Sequence, residues 1–265
     1  LDENPETEDV PDAAELDAVE GSVEFEHVAF GYNPEVPVIR DLSFEAGSGQ
    51  TVAIVGPTGA GKTTLVNLLM RFYDPQSGSI RIDGADVRGF TRKSLRAAFS
   101  MVLQDTWLKS GTIKQNIAMG KPDATDEELL EAVECAQAAD VIKSKRDGLN
   151  ERVEQGGLNF SGGQRQRLTI ARALVRKPDI LILDDSASAL DYVTDAKLRQ
   201  SLRNLDYKPT VFIVSQRTSS IRNADKIIVL DHGNVAGIGT HEYLLENCAL
   251  YREIHYSQYE KKEGA

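Results

Sequence analysis

Two cysteines, one tryptophan and a shortage of positive charge are what this 265-residue chain has least of. Cys135 and Cys248 stand far apart and lack metal-ligand spacing, so neither a disulfide framework nor a cysteine-rich metal module fits, and a reducing compartment does. No run approaches the roughly 18 apolar residues that a membrane span requires. No basic-then-apolar signal segment opens the sequence either, and residue 1 is Leu, from which a piece of a longer chain is expected. Lys and Arg number 30 against 41 Asp and Glu, a net charge of −11. Most of that excess sits at the front, on Asp2, Glu3, Glu6, Glu8, Asp9, Asp12, Glu15, Asp17 and Glu20. With Pro5 and Pro11 and little to bury, residues 1–20 read as a linker, leaving 21–265 as the folded domain. The remainder is close to neutral and has no basic stripe, which argues against a nucleic-acid partner.

What is present begins with Gly56-Pro57-Thr58-Gly59-Ala60-Gly61-Lys62-Thr63-Thr64, a match to G-x-x-x-x-G-K-[ST]. Gly56, Gly59 and Gly61 allow turns that a Cβ would block, so successive N–H groups can face phosphate oxygens. Lys62 supplies a point charge for the β- and γ-phosphates, and Thr63 a hydroxyl for Mg²⁺. Thr51–Val55 reads as a buried strand before this loop and Thr64–Phe72 as a helix after it, the context the motif requires. The expected ligand is ATP with Mg²⁺. Tyr32, shortly upstream, suits either adenine stacking or ordinary packing.

The pattern from Ser22 to Val28 alternates, and Val38 to Phe44 and Gly78 to Ile82 look similar, which predicts an antiparallel sheet. A helix from Thr91 to Ala98 leads to a strand ending before Gln104. Gly111 to Asp147 reads as mostly helical, with an N-cap at Thr125 and Leu129, Leu130, Val133 and Ala136 on one face. Short apolar runs at Ile180–Asp184, Val211–Val214 and Ile227–Leu230 alternate with helices and predict a parallel sheet. The fold class is therefore α/β: a P-loop NTPase with a mostly parallel core sheet, an antiparallel β subdomain and a helical subdomain at about 105–175. Asp184, ending a buried strand, is the expected Mg²⁺ carboxylate. Ser161-Gly162-Gly163-Gln164, opening a helix rich in Arg, is a second anion-binding helix terminus. One triphosphate does not need two, so the second is expected to grip ATP held by another subunit.

Together these motifs resemble the ATP-binding cassette ATPases, the nucleotide-binding domains of ABC transporters, from Val23 to about Tyr259. The resemblance implies that Tyr32 stacks on adenine and that Gln104 senses Mg²⁺. It also implies that Ser161 to Gln164 are the signature, that Ser188 to Asp191 cross a dimer interface, and that Glu154 contacts a transmembrane partner. Two such domains would sandwich two ATPs head to tail, on the cytoplasmic face of a membrane, beneath transmembrane domains fused in the parent chain.

Two positions depart from the family. Asp185 stands where a glutamate usually polarises the attacking water, set back by roughly 1.5 Å. Gln216 replaces the usual histidine at the γ-phosphate, and an amide does not titrate near neutral pH. With the signature intact apart from Phe160 in place of Leu, this resembles the degenerate subunit of a heterodimeric exporter. The competing readings are an importer ATPase subunit, a soluble cassette ATPase, which would need a coiled-coil insertion or a tandem cassette, and a non-hydrolysing scaffold.

Overall fold

The computed structural model describes residues 8–186 and 188–263; the first seven residues, with Asp2, Glu3 and Glu6 of the expected linker, lie outside the described residues, as do Ala187 and the last two. Two compact units emerge, one from the chain up to Phe99 joined by the chain from Thr210 on, the other from Ser100–Pro209.

The first unit opens with β1 (Val23–Phe30), β2 (Ile39–Ala46), β3 (Thr51–Val55), α1 (Lys62–Leu69), β4 (Ser77–Ile82), β5 (Ala85–Asp86) and α2 (Arg92–Ala97). Strands order β2-β1-β4-β5 in an antiparallel sheet. Phe25 lies opposite Phe44 and Ile80, and the Phe25 and Phe44 rings stack at 4.6 Å. The alternation breaks at His27, whose φ of 49° puts it in the left-handed region; both ladders of β1 slip there. The helix predicted from Thr64 to Phe72 starts two residues earlier, at Lys62, and stops at Leu69.

Composition sets the acidic leader apart from the fold, yet from Asp9 onward it is bonded to this unit. Ala14 N–H donates to the Gly89 carbonyl at 2.8 Å, and the Thr91 N–H to the Ala14 carbonyl at 2.9 Å. The Leu16 N–H donates to Ser94 Oγ, and Asp83 accepts the N–H groups of Glu20, Gly21 and Ser22. Asp9 pairs with Arg92 at 2.7 Å. A carboxylate in the leader finds its partner in an almost fully buried guanidinium, which a charge count along the chain does not reveal.

The second unit begins within β6 (Phe99–Val102) and contains β7 (Gly111–Thr112), α3 (Ile113–Ala118), α4 (Asp126–Cys135), α5 (Ala139–Lys143), β8 (Arg152–Val153), α6 (Gly162–Leu174), β9 (Ile180–Asp184) and α7 (Tyr192–Arg203). Short helices dominate Gly111 to Asp147, but the stretch begins with β7, paired antiparallel to β8. The N-cap expected at Thr125 is present and is reciprocal, with the Glu128 side chain accepting the Thr125 N–H. Leu129, Val133 and Ala136 are buried as expected, whereas Leu130 is exposed, because a residue one step on from Leu129 is turned about 100° around the helix. α6 packs on α3 and α4. Its Arg172 donates to the Asn116 carbonyl and to Asn116 Oδ1 at 2.9 Å each, and to the Trp107 carbonyl at 3.2 Å.

The chain then returns to the first unit with β10 (Thr210–Val214), α8 (Thr218–Ile221), β11 (Lys226–Asp231), β12 (Asn234–Gly239), α9 (His241–Asn247) and α10 (Ala249–Glu263). β10 and β11 flank β3 in parallel, and β12 runs antiparallel to β11. Val52 to Val55 are fully buried, as an apolar run without alternation requires of a strand covered on both faces. No described helix is long and apolar enough to cross a membrane.

Candidate nucleotide-binding site

The glycine-rich loop joins β3 to α1. Gly59 and Gly61 hold φ of 80° and 103°, in the left-handed region where a side chain is strained. A Cβ on Gly56 would sit 2.3 Å from the Leu230 carbonyl oxygen, so the loop passes too close to β11 for any other residue. Lys62 Nζ donates to the Gly56 and Pro57 carbonyls at 2.8 Å each, which brings the ammonium back over the loop. Phosphate oxygens would be stronger acceptors for it than these carbonyls. Thr63 is exposed at the first turn of α1, where the helix dipole favours an anion. Thr64, named with the loop, is buried, and its hydroxyl lies 3.3 Å from the Tyr32 hydroxyl.

Tyr32 could have been a packing residue or a platform, and its surroundings bear on which. The ring is 53% exposed, yet it is held. Its hydroxyl accepts from Asn67 Nδ2 at 3.1 Å, and its ring stands nearly perpendicular to those of Phe30 and Tyr73, at 5.2 and 5.1 Å. An open aromatic surface with fixed orientation suits a flat base. Sequence reasoning missed Asn67 and Tyr73. The available signal was Asn67 itself, an amide between Val66 and Leu68 in an otherwise apolar part of α1.

Parallel register brings Gln216 to the same end of the sheet as the loop. Val214 lies opposite Ile54, so two residues on, Gln216 leaves its strand at the level of Gly56. Gln216 is exposed, and its backbone carbonyl accepts from Gln258 Nε2 at 2.6 Å. The Ser215 N–H donates to the Ile54 carbonyl at 3.2 Å, and Ser215 Oγ accepts from the Arg217 N–H at 3.0 Å.

In the second unit, Gln104 is exposed just past β6, and Asp184, half-buried, is the last residue of β9. Asp185 follows with φ of 45°, and its carbonyl accepts from the Ser188 N–H at 3.1 Å, so the chain turns sharply there. Ser161 caps α6: its Oγ accepts from the Gln164 N–H at 3.3 Å while Gln164 Oε1 accepts from the Ser161 N–H at 3.0 Å. Gln164 thus spends its side chain holding the cap. Gly162 and Gly163 follow in the first turn; a Cβ on Gly163 would lie 3.1 Å from the Ala189 carbonyl oxygen, so the turn after Asp185 lies against the start of α6. Asp191 caps α7, and hydrogen bonds from the Thr194 hydroxyl and N–H hold its carboxyl below the usual carboxylate range. Phe160 is buried with Lys145 Nζ 4.5 Å from its ring centre. Glu154 is exposed.

Each unit taken by itself offers hard oxygen donors: Thr63 in the first, Gln104 and Asp184 in the second. The hydroxyl of Thr63, the amide oxygen of Gln104 and the carboxylate of Asp184 are hard oxygen ligands, as Mg²⁺ takes.

A sequence model described as "ABC transporter" matches residues 39–188, from β2 through the glycine-rich loop, the capped Ser161 turn and β9 to Ser188. The chain belongs to the ABC transporter family. Over 252 residues it is 48% identical to a fatty acid ABC transporter ATP-binding/permease protein of Mycobacterium tuberculosis, covering 95% of this chain and 39% of that protein. Over 265 residues it is 45% identical to NdvA, a beta-(1→2)glucan export ATP-binding/permease protein of Rhodopseudomonas palustris, covering all of this chain and 44% of that one. A solved bacterial Atm1-family ABC exporter with ATP bound superposes with a TM-score of 0.91 at 42% identity, over 97% of this chain and 45% of that one. The chain thus spans less than half the length of these ABC relatives. The α/β fold expected from sequence, a P-loop NTPase with a largely parallel core, is the ABC ATP-binding fold.

Proposed function

We propose that this ABC domain binds Mg·ATP, pairs with a second nucleotide-binding domain in an ATP-dependent heterodimer, and powers export across a membrane. Lys62 and the loop N–H groups would hold the phosphates, Tyr32 the adenine, and Thr63, Gln104 and Asp184 the Mg²⁺, whose charge would offset that of the phosphates. Ser161, Gly162, Gly163 and Gln164 would face the ATP of the partner domain, with the Ser161–Gln164 cap keeping that turn in shape. The transmembrane domains would belong to the parent chain, as in relatives named ATP-binding/permease proteins, and this domain would work at the cytoplasmic face.

ATP held at this chain's own loop turns over slowly in this reading. The observation that carries it is Asp185, a carboxylate one CH₂ shorter than glutamate directly after Asp184, in a chain whose signature turn is fully capped. Positioning of a general base contributes typically about 10²–10⁴-fold, so a set-back carboxylate leaves ATP bound and little hydrolysed. Gln216 would present an amide to the γ-phosphate, a donor that keeps its state across neutral pH. Hydrolysis by the pair then depends on the partner's catalytic carboxylate and on the signature supplied here.

The test is ATP turnover by assembled pairs. A pair carrying Asp185→Asn should keep most of its activity, and a pair whose partner domain lacks its catalytic glutamate should lose it. The reverse pattern would make Asp185 the working base and end the degenerate-site reading.

A further inference from the structure

The loop that carries Gln216 is bonded both from within the chain around it and from α10. It runs from β10 into α8, a helix of four residues whose N-cap, Arg217, makes no side-chain cap bond. Several of the bonds on either side of Arg217 come from the far end of the chain. On α10, Tyr251, His255 and Gln258 fall at i, i+4 and i+7, along one stripe of the helix. Tyr251 is fully buried, and its hydroxyl lies 2.8 Å from His241 Nδ1 at the start of α9, which anchors the stripe in the unit. His255 Nδ1 lies 3.0 Å from Thr218 Oγ1. Gln258 Oε1 accepts from the Thr218 N–H at 3.0 Å and from the Thr218 hydroxyl at 3.2 Å, and Gln258 Nε2 donates to the Gln216 carbonyl at 2.6 Å. Because the Thr218 hydroxyl gives its proton to Gln258, the His255 ring meets it as an Nδ1–H donor. Burial, with the charge of His241, holds the His255 pKa below the ordinary imidazole value, in keeping with that neutral ring.

We propose that Gln258 is a positioning residue for Gln216. Its amide closes a ring with the backbone on both sides of Arg217: one end fixes the carbonyl before it, the other the N–H after it. Between these two points the backbone has little freedom, so the direction in which the Gln216 side chain leaves the loop is set by α10. The chain's C-terminal helix would thereby tune contact with the terminal phosphate. This rests on the reading that Gln216 meets the γ-phosphate, the group that distinguishes ATP from ADP.

The experiment compares the affinities of the chain for Mg·ATP and Mg·ADP. Gln216→Ala should lower the preference for ATP by about three- to tenfold, the worth of one hydrogen bond. Gln258→Ala should lower it by as much or somewhat less, with ADP affinity unchanged, and the double variant should match Gln216→Ala alone because both act through one contact. Gln258→Glu keeps an oxygen for Thr218 and loses the donor to Gln216; it should lower the preference too, and it stands in should Gln258→Ala fail to fold. A preference reduced by Gln216→Ala but untouched by either Gln258 variant would overturn the positioning role alone. A preference untouched by Gln216→Ala would overturn the phosphate reading, and the positioning role with it. A uniform loss of affinity for both nucleotides would mark Gln258 as merely structural.

Discussion

Asp9→Asn should destabilise the domain, although Asp9 lies in a stretch whose composition resembles a linker. Its carboxylate pairs with Arg92 at 2.7 Å and accepts the Arg92 N–H at 3.1 Å, while Arg71 approaches to 3.7 Å. Asp74 completes the cluster, 3.0 Å from Arg71 and 3.1 Å from Arg92. Two nearly buried guanidinium groups are thus balanced by two carboxylates, and the variant leaves both cations sharing one. Charge-assisted hydrogen bonds are worth about 1.5–3 kcal/mol, and water reaching the partly exposed side of Asp9 recovers some of that, so the expected loss is about 2 kcal/mol. At about 2–4 °C per kcal/mol for a chain of this size, Tm should fall by roughly 4–8 °C. Asp12→Asn, at an exposed position, is the control and should shift stability by less than about 0.5 kcal/mol.

The pH dependence gives a second readout of the same cluster. Desolvation alone would raise the Asp9 pKa, but hydrogen bonds from Arg92 and the charges of Arg92 and Arg71 outweigh it and hold the carboxyl below its ordinary value of 3.8. A folded-state pKa that is depressed contributes stability fully present above the unfolded value and lost as pH falls through the folded one. The gap between the parent chain and Asp9→Asn should therefore be constant near neutrality and close in acid, below 3.8. Thermal melts across that range decide the matter. Equal melting temperatures at neutral pH, or a gap that persists in strong acid, would show that the leader is not held by this ion pair.

Two further outcomes follow from the nucleotide site. Asn67→Ala should weaken ATP several-fold by releasing the Tyr32 hydroxyl, with a smaller effect on inorganic triphosphate, because in the proposed site the contact would orient the base platform and not the phosphates; equal weakening of both ligands in a binding titration would count against that role. Asp185→Glu restores roughly 1.5 Å of reach and should speed turnover at this chain's own loop by up to about 10²-fold, measured in an assembled pair whose other site is disabled.

The glycine-rich turn between β3 and α1 was legible because its requirement is on the backbone: only glycine tolerates the left-handed conformations at Gly59 and Gly61 and the close pass of Gly56 by Leu230. Local caps were legible for the same kind of reason, since Thr125 and Glu128 are three residues apart and meet each other whatever else the chain does. Leu130 falls off the buried face because helical geometry turns neighbours in sequence to different sides. The rest depends on partners distant in sequence. Arg92 is 83 residues from Asp9, Asn67 is 35 from Tyr32, and Gln258 is 42 from Gln216. Neither charge counts nor periodicity join such pairs. The choice between stacking and packing for Tyr32 depends on such partners, and so does the bonding of the leader from Asp9 onward.

Asp185 brings the two kinds of requirement together. Its φ of 45° is a conformation that Asp and Asn tolerate better than longer side chains, because a short polar group can bond locally to the backbone. The turn it makes leads to Ser188 and then to Ala189, whose carbonyl lies close to Gly163 at the start of α6. An aspartate here therefore shortens the reach of a carboxylate and also suits the backbone that supports the signature turn. If the signature serves the partner's ATP while this chain's own site is slow, the same substitution favours the first task at the expense of the second. The two effects separate in Asp185→Asn, which keeps the side-chain length and the left-handed tolerance while removing the charge. Retained turnover in the assembled pair would assign the aspartate to the turn, whereas lost turnover would assign it to the chemistry.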